Sequence, residues 1–233
     1  MMHLTVPSWV IPGTYLENLR FLEDKSEING VELLFFFYDA EVQALLDAEW
    51  TGIREYGRRF TFTVHLPDTL SPAHEDLITR LLPLARHYVL HPYPQERAET
   101  QERLIGSWAE RFGSHRFLME NTYPGRLETI LPGLPAGMGV CMDTGHLLLE
   151  GKNPAIFFKR YGDRIREIHL HGLDREKAAE DRRLPDHRPL RSGDPWLREL
   201  APELAGFTGI INLEVFSWEE VLAGIAVLKA GRP

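Results

Sequence analysis

Residues 138–147 read Met-Gly-Val-Cys-Met-Asp-Thr-Gly-His-Leu. The first half is apolar like a buried strand, and Asp143 and His146 follow it three residues apart, where the strand runs into a loop. A carboxylate and an imidazole aimed into one small volume are ligands that a divalent metal ion accepts. Because Asp-Thr-Gly also occurs in ordinary turns, the weight of this motif depends on how the other strands end.

The same kind of apolar segment recurs along the chain and alternates with segments of helical periodicity. The predicted strands cover 3–10, 31–37, 60–66, 88–91, 116–120, 138–143, 166–171 and 210–216. The predicted helices cover 15–23, 40–56, 72–86, 97–112, 154–161 and 218–229, with a short, less regular segment at 126–131. Two cap-proline pairs, Ser71-Pro72 and Asn153-Pro154, mark helix starts.

Eight strands alternating with helices indicate a parallel sheet, and eight is the number that closes a barrel. No low-complexity linker or shift in composition divides the chain. We therefore predict an α/β fold in which residues 1–233 form a single (β/α)8 TIM-barrel domain.

Composition limits the function. The formal net charge of −8 disfavours a general nucleic-acid binder, and no apolar run approaches the length of a membrane span. The single cysteine, Cys141, cannot form an internal disulfide, so a reducing compartment is expected. The first residues do not resemble a signal peptide. These features predict a cytoplasmic enzyme or binding protein for a small molecule.

In a barrel of this type, the loops after the carboxyl ends of the strands build the active site. Side chains alternate along a strand, so residues two apart share a face. Glu167, His169 and His171 would share one face of their strand, and Glu32 and Asn212 would point into the barrel as polar core contacts. Six side chains fall at or near the strand ends where chemistry is expected: His65, His91, Glu120, Asp143, His169 and Glu214.

Seven short motifs carry a resemblance: Val-His-Leu-Pro (64–67), Leu-His-Pro (90–92), Met-Glu-Asn (119–121), Asp-Thr-Gly-His (143–146), Ile-His-Leu-His (168–171), Asp-His-Arg-Pro-Leu (186–190) and Leu-Glu-Val-Phe (213–216). In this order they resemble the xylose isomerase-like barrel superfamily, which includes endonuclease IV, hexulose epimerases and hydroxypyruvate isomerase. Resemblance to the epimerase branch implies a metal held by Glu120, Asp143, His169 and Glu214. In that branch Glu120 and Glu214 would also act as catalytic acid and base.

Resemblance to the endonuclease branch implies up to three metal ions and a larger ligand set. It adds four histidines, all present here: His65, His91, His146 and His187. That branch has an aspartate two residues before the histidine matched by His187, where this chain has Pro185. The neighbouring Asp186 is a candidate replacement, which leaves a third metal site open.

The chain further resembles the cobamide-remodelling phosphodiesterases of the same superfamily, which cleave the nucleotide loop of corrinoids. This resemblance covers Pro-Ser-Trp-Val-Ile-Pro (7–12), Asn-Leu-Arg-Phe-Leu (18–22), Val-Glu-Leu-Leu-Phe-Phe (31–36), Thr-Val-His-Leu-Pro (63–67), Asp-His-Arg-Pro-Leu and Leu-Glu-Val-Phe-Ser (213–217). Arginines near His187, among them Arg183 and Arg188, are candidates to clamp a phosphate. His171 is a candidate for substrate contact, with metal ligand or partner of a ligand as alternatives.

Three functions follow, in order of preference. The first is hydrolysis of a phosphodiester, including that of a cobamide, by clustered divalent ions. The second is isomerisation or epimerisation of a sugar or hydroxy-keto compound with one ion. The third is a barrel that binds a ligand or metal without turnover. The mixed ligands accept Zn, Mn, Fe or Co, one to three ions per chain. The expected substrate is small and phosphorylated or sugar-like, with no nucleic-acid or membrane partner, and the oligomeric state is open.

Overall fold

The computed structural model describes residues 3–181 and 184–230, with the side chain of residue 181 excepted. Its strands form one closed parallel barrel in sequence order. They are β1 (His3–Pro7), β2 (Gly30–Leu34), β3 (Thr61–His65), β4 (Ala85–Leu90), β5 (Phe117–Glu120), β6 (Gly139–Asp143), β7 (Ile165–His169) and β8 (Ile210–Asn212).

The last strand closes the barrel against the first. Strands β1 and β8 pair in parallel, with Leu4 opposite Ile211 and Thr5 opposite Asn212. The predicted eight-stranded α/β barrel is therefore confirmed. Because all the strands run in the same direction, their carboxyl ends meet at one rim, and side chains from distant parts of the sequence come together there.

Helices surround the barrel. They are α1 (Tyr15–Leu22), α2 (Ala40–Glu55), α3 (His74–Leu81), α4 (Ala98–Phe112), α5 (Arg126–Ile130), α6 (Thr144–Leu149), α7 (Pro154–Tyr161), α8 (Arg175–Asp181), α9 (Pro195–Gly206) and α10 (Trp218–Ala230). The predicted cap at Asn153 is confirmed, since its side chain accepts hydrogen bonds from the backbone of Ala155 and Ile156.

The predicted helix at 72–86 is wrong at both ends. Helix α3 begins at His74 after Ala73, which makes no side-chain cap, so Ser71 does not start it. The helix stops at Leu81, and β4 already begins at Ala85. Pro83 explains the early end, because proline lacks an amide hydrogen and disfavours helical backbone in the residue before it.

Three helices were absent from the sequence prediction: α6, α8 and α9. Helix α6 matters most, because β6 runs into it directly and not into a loop. Asp143 is both the last residue of β6 and the N-cap of α6, and its side chain accepts a hydrogen bond from the His146 backbone amide. Strands β7 and β8 are shorter than predicted, so His171 and Glu214 lie beyond their ends.

The main hydrophobic core lies between the strands and the helices, where residues such as Leu19, Phe62 and Trp108 are fully buried. Inside the barrel, Val89, Leu118 and Cys141 form a small separate apolar cluster. A TIM barrel interior is usually filled by branched apolar side chains. Here much of it is polar, and the buried side chains include Thr5, Glu32, Thr63, Glu167 and Asn212.

None of the helices in the described part of the chain combines the length and apolar character needed to cross a bilayer.

Candidate metal centre

The strand ends bring the predicted ligands to one rim. His65, Glu120, Asp143 and His169 are the final residues of β3, β5, β6 and β7. His91 follows β4 by one residue, and Glu214 follows β8 by two. All six lie at the carboxyl end of the barrel, where the sequence placed them.

The central group consists of Glu120, Asp143, His169 and Glu214. One ligand atom from each lies within 4.8 Å of the others, and all four side chains are buried. His169 Nδ1 lies 3.0 Å from Glu120 Oε1 and 3.2 Å from Glu214 Oε2. Three carboxylates and an imidazole facing one point have the composition of a divalent-metal site.

The other ring nitrogen of His169, Nε2, is held by a carboxylate in the barrel interior. Its Nε2 lies 3.2 Å from Glu32 Oε1, and the other oxygen of Glu32 accepts a hydrogen bond from the Asn212 amide. Burial raises the pKa of Glu32, and the nearby His169 pulls it back, to about 7. A carboxylate behind a ligating imidazole orients the ring toward the metal. Glu32 and Asn212 are therefore polar contacts of the barrel interior, as the strand pattern predicted.

A second group shares Glu120 with the first. The Nε2 atoms of His65 and His91 lie 3.4 Å and 2.9 Å from Glu120 Oε2. His65 Nδ1 lies 3.0 Å from the Leu66 carbonyl oxygen, and His91 Nδ1 lies 3.0 Å from Asp68 Oδ1. Both rings can thus donate through Nδ1, and their Nε2 atoms face Glu120, where a metal would bind once Nε2 carries no proton.

Two buried oxygens have close nitrogen neighbours but no hydrogen bond. Among the described residues, neither Glu120 Oε2 nor Glu214 Oε2 has a hydrogen-bond partner of acceptable geometry. His91 nevertheless lies 2.9 Å from the first, and His187 lies 3.5 Å from the second. Atoms that approach one another without donor–acceptor alignment fit ligands converging on a common ion. The residues present therefore fit a divalent metal.

The third group joins Asp143 and Glu214 to two histidines. Asp143, His171, His187 and Glu214 offer ligand atoms within 4.8 Å of one another. Burial lowers the pKa of His187, but Glu214 and Asp186 raise it more strongly, to about 11. Asp186 Oδ1 lies 3.4 Å from His187 Nδ1. Asp186 thus contacts the His187 imidazole, while position 185 is a proline. A role for Asp186 in place of the aspartate of the endonuclease branch stays a prediction.

The remaining predicted residues lie farther out. His146 Nε2 is 4.0 Å from Asp143 Oδ2, and His146 belongs to none of the groups of potential ligands found among the described residues. Arg188 is buried, and its Nε donates to the Leu184 carbonyl oxygen. Arg183 lies outside the described residues. The ligand, catalytic and substrate roles assigned to all these side chains stay predictions.

Two supporting residues were not singled out from the sequence. Asn121 pairs with the Asp143 backbone in both directions, donating to its carbonyl and accepting from its amide at 2.9 Å each. Asp68 holds His91. In the sequence, Asn121 directly follows Glu120, and Asp68 lies three residues after His65. These positions are the only signals that could have pointed to the two residues.

A cavity of about 400 Å³ opens beside the second group. It is lined by His91, Thr122, Tyr123, Pro124, His146, Leu149 and Glu150. Its size suits a small molecule. A larger cavity of about 530 Å³ lies at the opposite end of the barrel, beside the start of β7, away from the clustered ligands.

Comparison with known proteins places this arrangement in context. Over 59 residues the chain is 37% identical to an inosose dehydratase of Lacticaseibacillus casei. That match covers 25% of this chain and 19% of the relative.

Solved structures show the same fold. AsbF, a probable 3-DHS dehydratase from Bacillus anthracis, has a TM-score of 0.76 at 14% identity, covering 98% of each chain. The IolI protein with a bound zinc atom has a TM-score of 0.67 at 15% identity, covering 99% of this chain and 96% of that one. A D-psicose 3-epimerase from Clostridium cellulolyticum H10 has a TM-score of 0.64 at 15% identity, covering 99% and 98%.

A family model described as the xylose isomerase-like TIM barrel matches residues 75–231. These comparisons do not bear on the resemblance to cobamide-remodelling phosphodiesterases, which stays a prediction. Because the family match covers well over half of the chain, the protein belongs to the xylose isomerase-like TIM barrel family.

Proposed function

We propose that the protein is a divalent-metal-dependent enzyme that moves a proton next to the carbonyl group of a small hydroxylated substrate. Its reaction would be an isomerisation, an epimerisation or the related loss of water. The observation that carries this proposal is that two buried carboxylates, Glu120 and Glu214, both lie against His169 Nδ1, at 3.0 Å and 3.2 Å. The names of similar proteins, two dehydratases and an epimerase, support the same class of substrate.

The proposed reaction needs two groups in the site, one that accepts a proton from the substrate and one that donates a proton to it. One of Glu120 and Glu214 would take the proton from the carbon beside the carbonyl, and the other would return a proton to the opposite face or to a departing hydroxyl. Glu120, Asp143, His169 and Glu214 would hold the metal, which when bound polarises the adjacent carbonyl and hydroxyl oxygens. Burial of all four excludes bulk water from the proton transfer.

The test is solvent exchange. The purified protein, loaded with Zn, Mn, Fe or Co, would be incubated in deuterium oxide with a panel of ketoses and cyclic hydroxy-ketones. We expect deuterium at the carbon beside the carbonyl, lost with chelator and regained with metal. Glu120→Gln and Glu214→Gln should abolish it, while the exposed Glu99→Gln should not. Absence of exchange across the panel in metal-loaded protein would overturn the proposal.

One observation favours a second candidate, hydrolysis of a phosphodiester. His65 and His91 form a further ligand group on Glu120, so two ions could lie side by side with this carboxylate between them. Adjacent ions stabilise the attacking and leaving oxygens of a phosphoryl displacement, a function that a single-ion isomerase does not need. Bis-para-nitrophenyl phosphate and a cobamide are the substrates to test. Release of cobinamide phosphate from the cobamide would identify a cobamide as the substrate.

The third alternative, binding without turnover, makes an opposite prediction. It is excluded by any turnover of either substrate class that a chelator abolishes and added metal restores.

A further inference from the structure

His171 is fully buried, and both of its ring nitrogens already have partners within the protein. We propose that His171 is a positioning residue that orients Asp143, and that the backbone of the loop carrying His187 selects the ring tautomer that does so. The inference rests on the proposed metal site only in that Asp143 is one of its ligands.

The tautomer follows from one backbone contact. The His187 backbone N–H lies 2.9 Å from His171 Nδ1. A backbone amide can only donate, so Nδ1 must accept and the ring proton must lie on Nε2. A longer contact of 3.4 Å from Nδ1 to the Gly172 carbonyl would require the other tautomer, and the shorter amide contact decides against it.

The proton on Nε2 is directed at Asp143. His171 Nε2 lies 3.0 Å from Asp143 Oδ2, and the His146 backbone amide donates to Asp143 Oδ1 at 2.7 Å. Each carboxylate oxygen of Asp143 is thus held by one donor. The plane of the carboxylate is fixed, and its remaining lone pairs are free for the ion.

The residues between Asp143 and His146 hold His171 in place. Thr144 Oγ1 lies 3.0 Å from the His171 backbone amide and 2.8 Å from its carbonyl oxygen. A side chain at position 145 would overlap the His171 ring, because an added Cβ would clash with ring atoms Cε1 and Nδ1. Only glycine leaves this space open. Every residue of Asp-Thr-Gly-His therefore serves Asp143 or its partner His171.

His187 adopts an unusual backbone conformation that supports this contact. Its φ is +51°, in the left-handed region that residues other than glycine seldom enter. Its ring stacks on that of His171, with centroids 4.3 Å apart and planes 10° apart. Stacking and the amide hydrogen bond hold the two rings together. The loop after α8 is thereby coupled to Asp143 on the far side of His171.

This assignment changes the number of ligands that the third group offers to an ion. His171 lies within ligand distance of Asp143, His187 and Glu214, yet neither of its nitrogens has a lone pair left for an ion. The third group therefore offers three ligands from the described residues, and His171 supports one of them from behind.

The experiment measures metal binding and the tautomer in the full-length protein. For His171→Phe we expect a loss of affinity for zinc or cobalt of about 10- to 100-fold, an altered visible spectrum of the cobalt form, and an unchanged metal count at saturation. His171→Gln, whose amide can still donate and accept, should recover most of the affinity. Gly145→Ala should weaken binding without removing a hydrogen-bonding group.

Two outcomes would overturn the proposal. His171→Phe could bind metal as tightly as the wild-type protein, or it could lose one equivalent at saturation, which would make His171 a ligand. If His171→Phe does not fold, the metal affinity of Gly145→Ala and the ring-nitrogen NMR shifts of His171 in the wild-type protein still test the proposal. NMR shifts that place the ring proton on Nδ1 would refute the assignment. These readouts use no substrate, so their failure is distinguishable from failure of the proposed reaction.

Discussion

Glu32 Oε1 lies 3.2 Å from His169 Nε2, on the side of the imidazole opposite to Glu120 and Glu214. The two residues belong to β2 and β7, which are not neighbours in the sheet, so they meet across the barrel interior. A buried carboxylate behind a ligand histidine fixes the ring and increases its basicity.

Replacement of Glu32 should therefore weaken metal binding. For Glu32→Leu we expect a drop in affinity of about 10- to 100-fold, and for Glu32→Gln, which keeps an acceptor but loses the charge, a smaller drop. Competition with a chelating dye measures both. The exposed Glu99→Gln is the matched control. Wild-type affinity in Glu32→Leu would show that His169 needs no such support.

Removal of the second ligand group should lower the metal count. The double variant His65→Ala/His91→Ala should bind one equivalent fewer by elemental analysis and lose any phosphodiesterase activity, because Glu120 then faces only the central group. Deuterium exchange at the carbon beside the carbonyl should survive, since Glu120 and Glu214 remain in place. The exposed His115→Ala serves as control. An unchanged metal count and unchanged phosphodiester cleavage in the double variant would refute the multi-metal hydrolase.

Metal binding at the second and third groups should strengthen as pH rises. Burial lowers the pKa of His91, but its contacts with Asp68 and Glu120 raise it more strongly, to about 10. The pKa of His187 is about 11, for the reasons given above. Both imidazoles are thus protonated at neutral pH without metal and must release a proton to bind it.

The apparent affinity should then increase by up to about tenfold per pH unit for each proton released, up to the pKa of the histidine concerned. Calorimetric titration in buffers of different ionisation enthalpy counts the protons directly. Binding that is independent of pH between neutrality and pH 9 would contradict ligation by these histidines.

Trp108 should be a main contributor to stability. It is fully buried on α4, and its ring stacks on Phe117 of β5 with centroids 6.4 Å apart. Trp108→Ala should lower the free energy of unfolding by about 3–5 kcal/mol, because it leaves a cavity between helix and barrel. Urea denaturation measures the change, and Trp108→Phe should cost less. If Trp108→Ala lowers the free energy of unfolding no more than Trp108→Phe does, the surrounding side chains must close the cavity, contrary to this prediction.

The apolar segments revealed the eight strands because each strand is buried on both faces and is short. Strand ends were less certain. The pattern extended β7 to His171 and β8 to residue 216, but side-chain alternation continues past the last backbone hydrogen bond. Helices α6, α8 and α9 were missed because α6 begins within the ligand motif itself, and proline occurs at or near α8 and α9.

The sequence by itself determined the fold class and the rim at which chemistry is expected, because strand and helix periodicities are local properties. It also supplied the candidate ligands, which stand at the ends of those strands. Only the tertiary structure decided how they are grouped: His65 and His91 on one side of Glu120, Glu32 behind His169, and His171 behind Asp143. Such pairings depend on ring orientation and on hydrogen bonds between residues far apart in the chain, which no local pattern encodes.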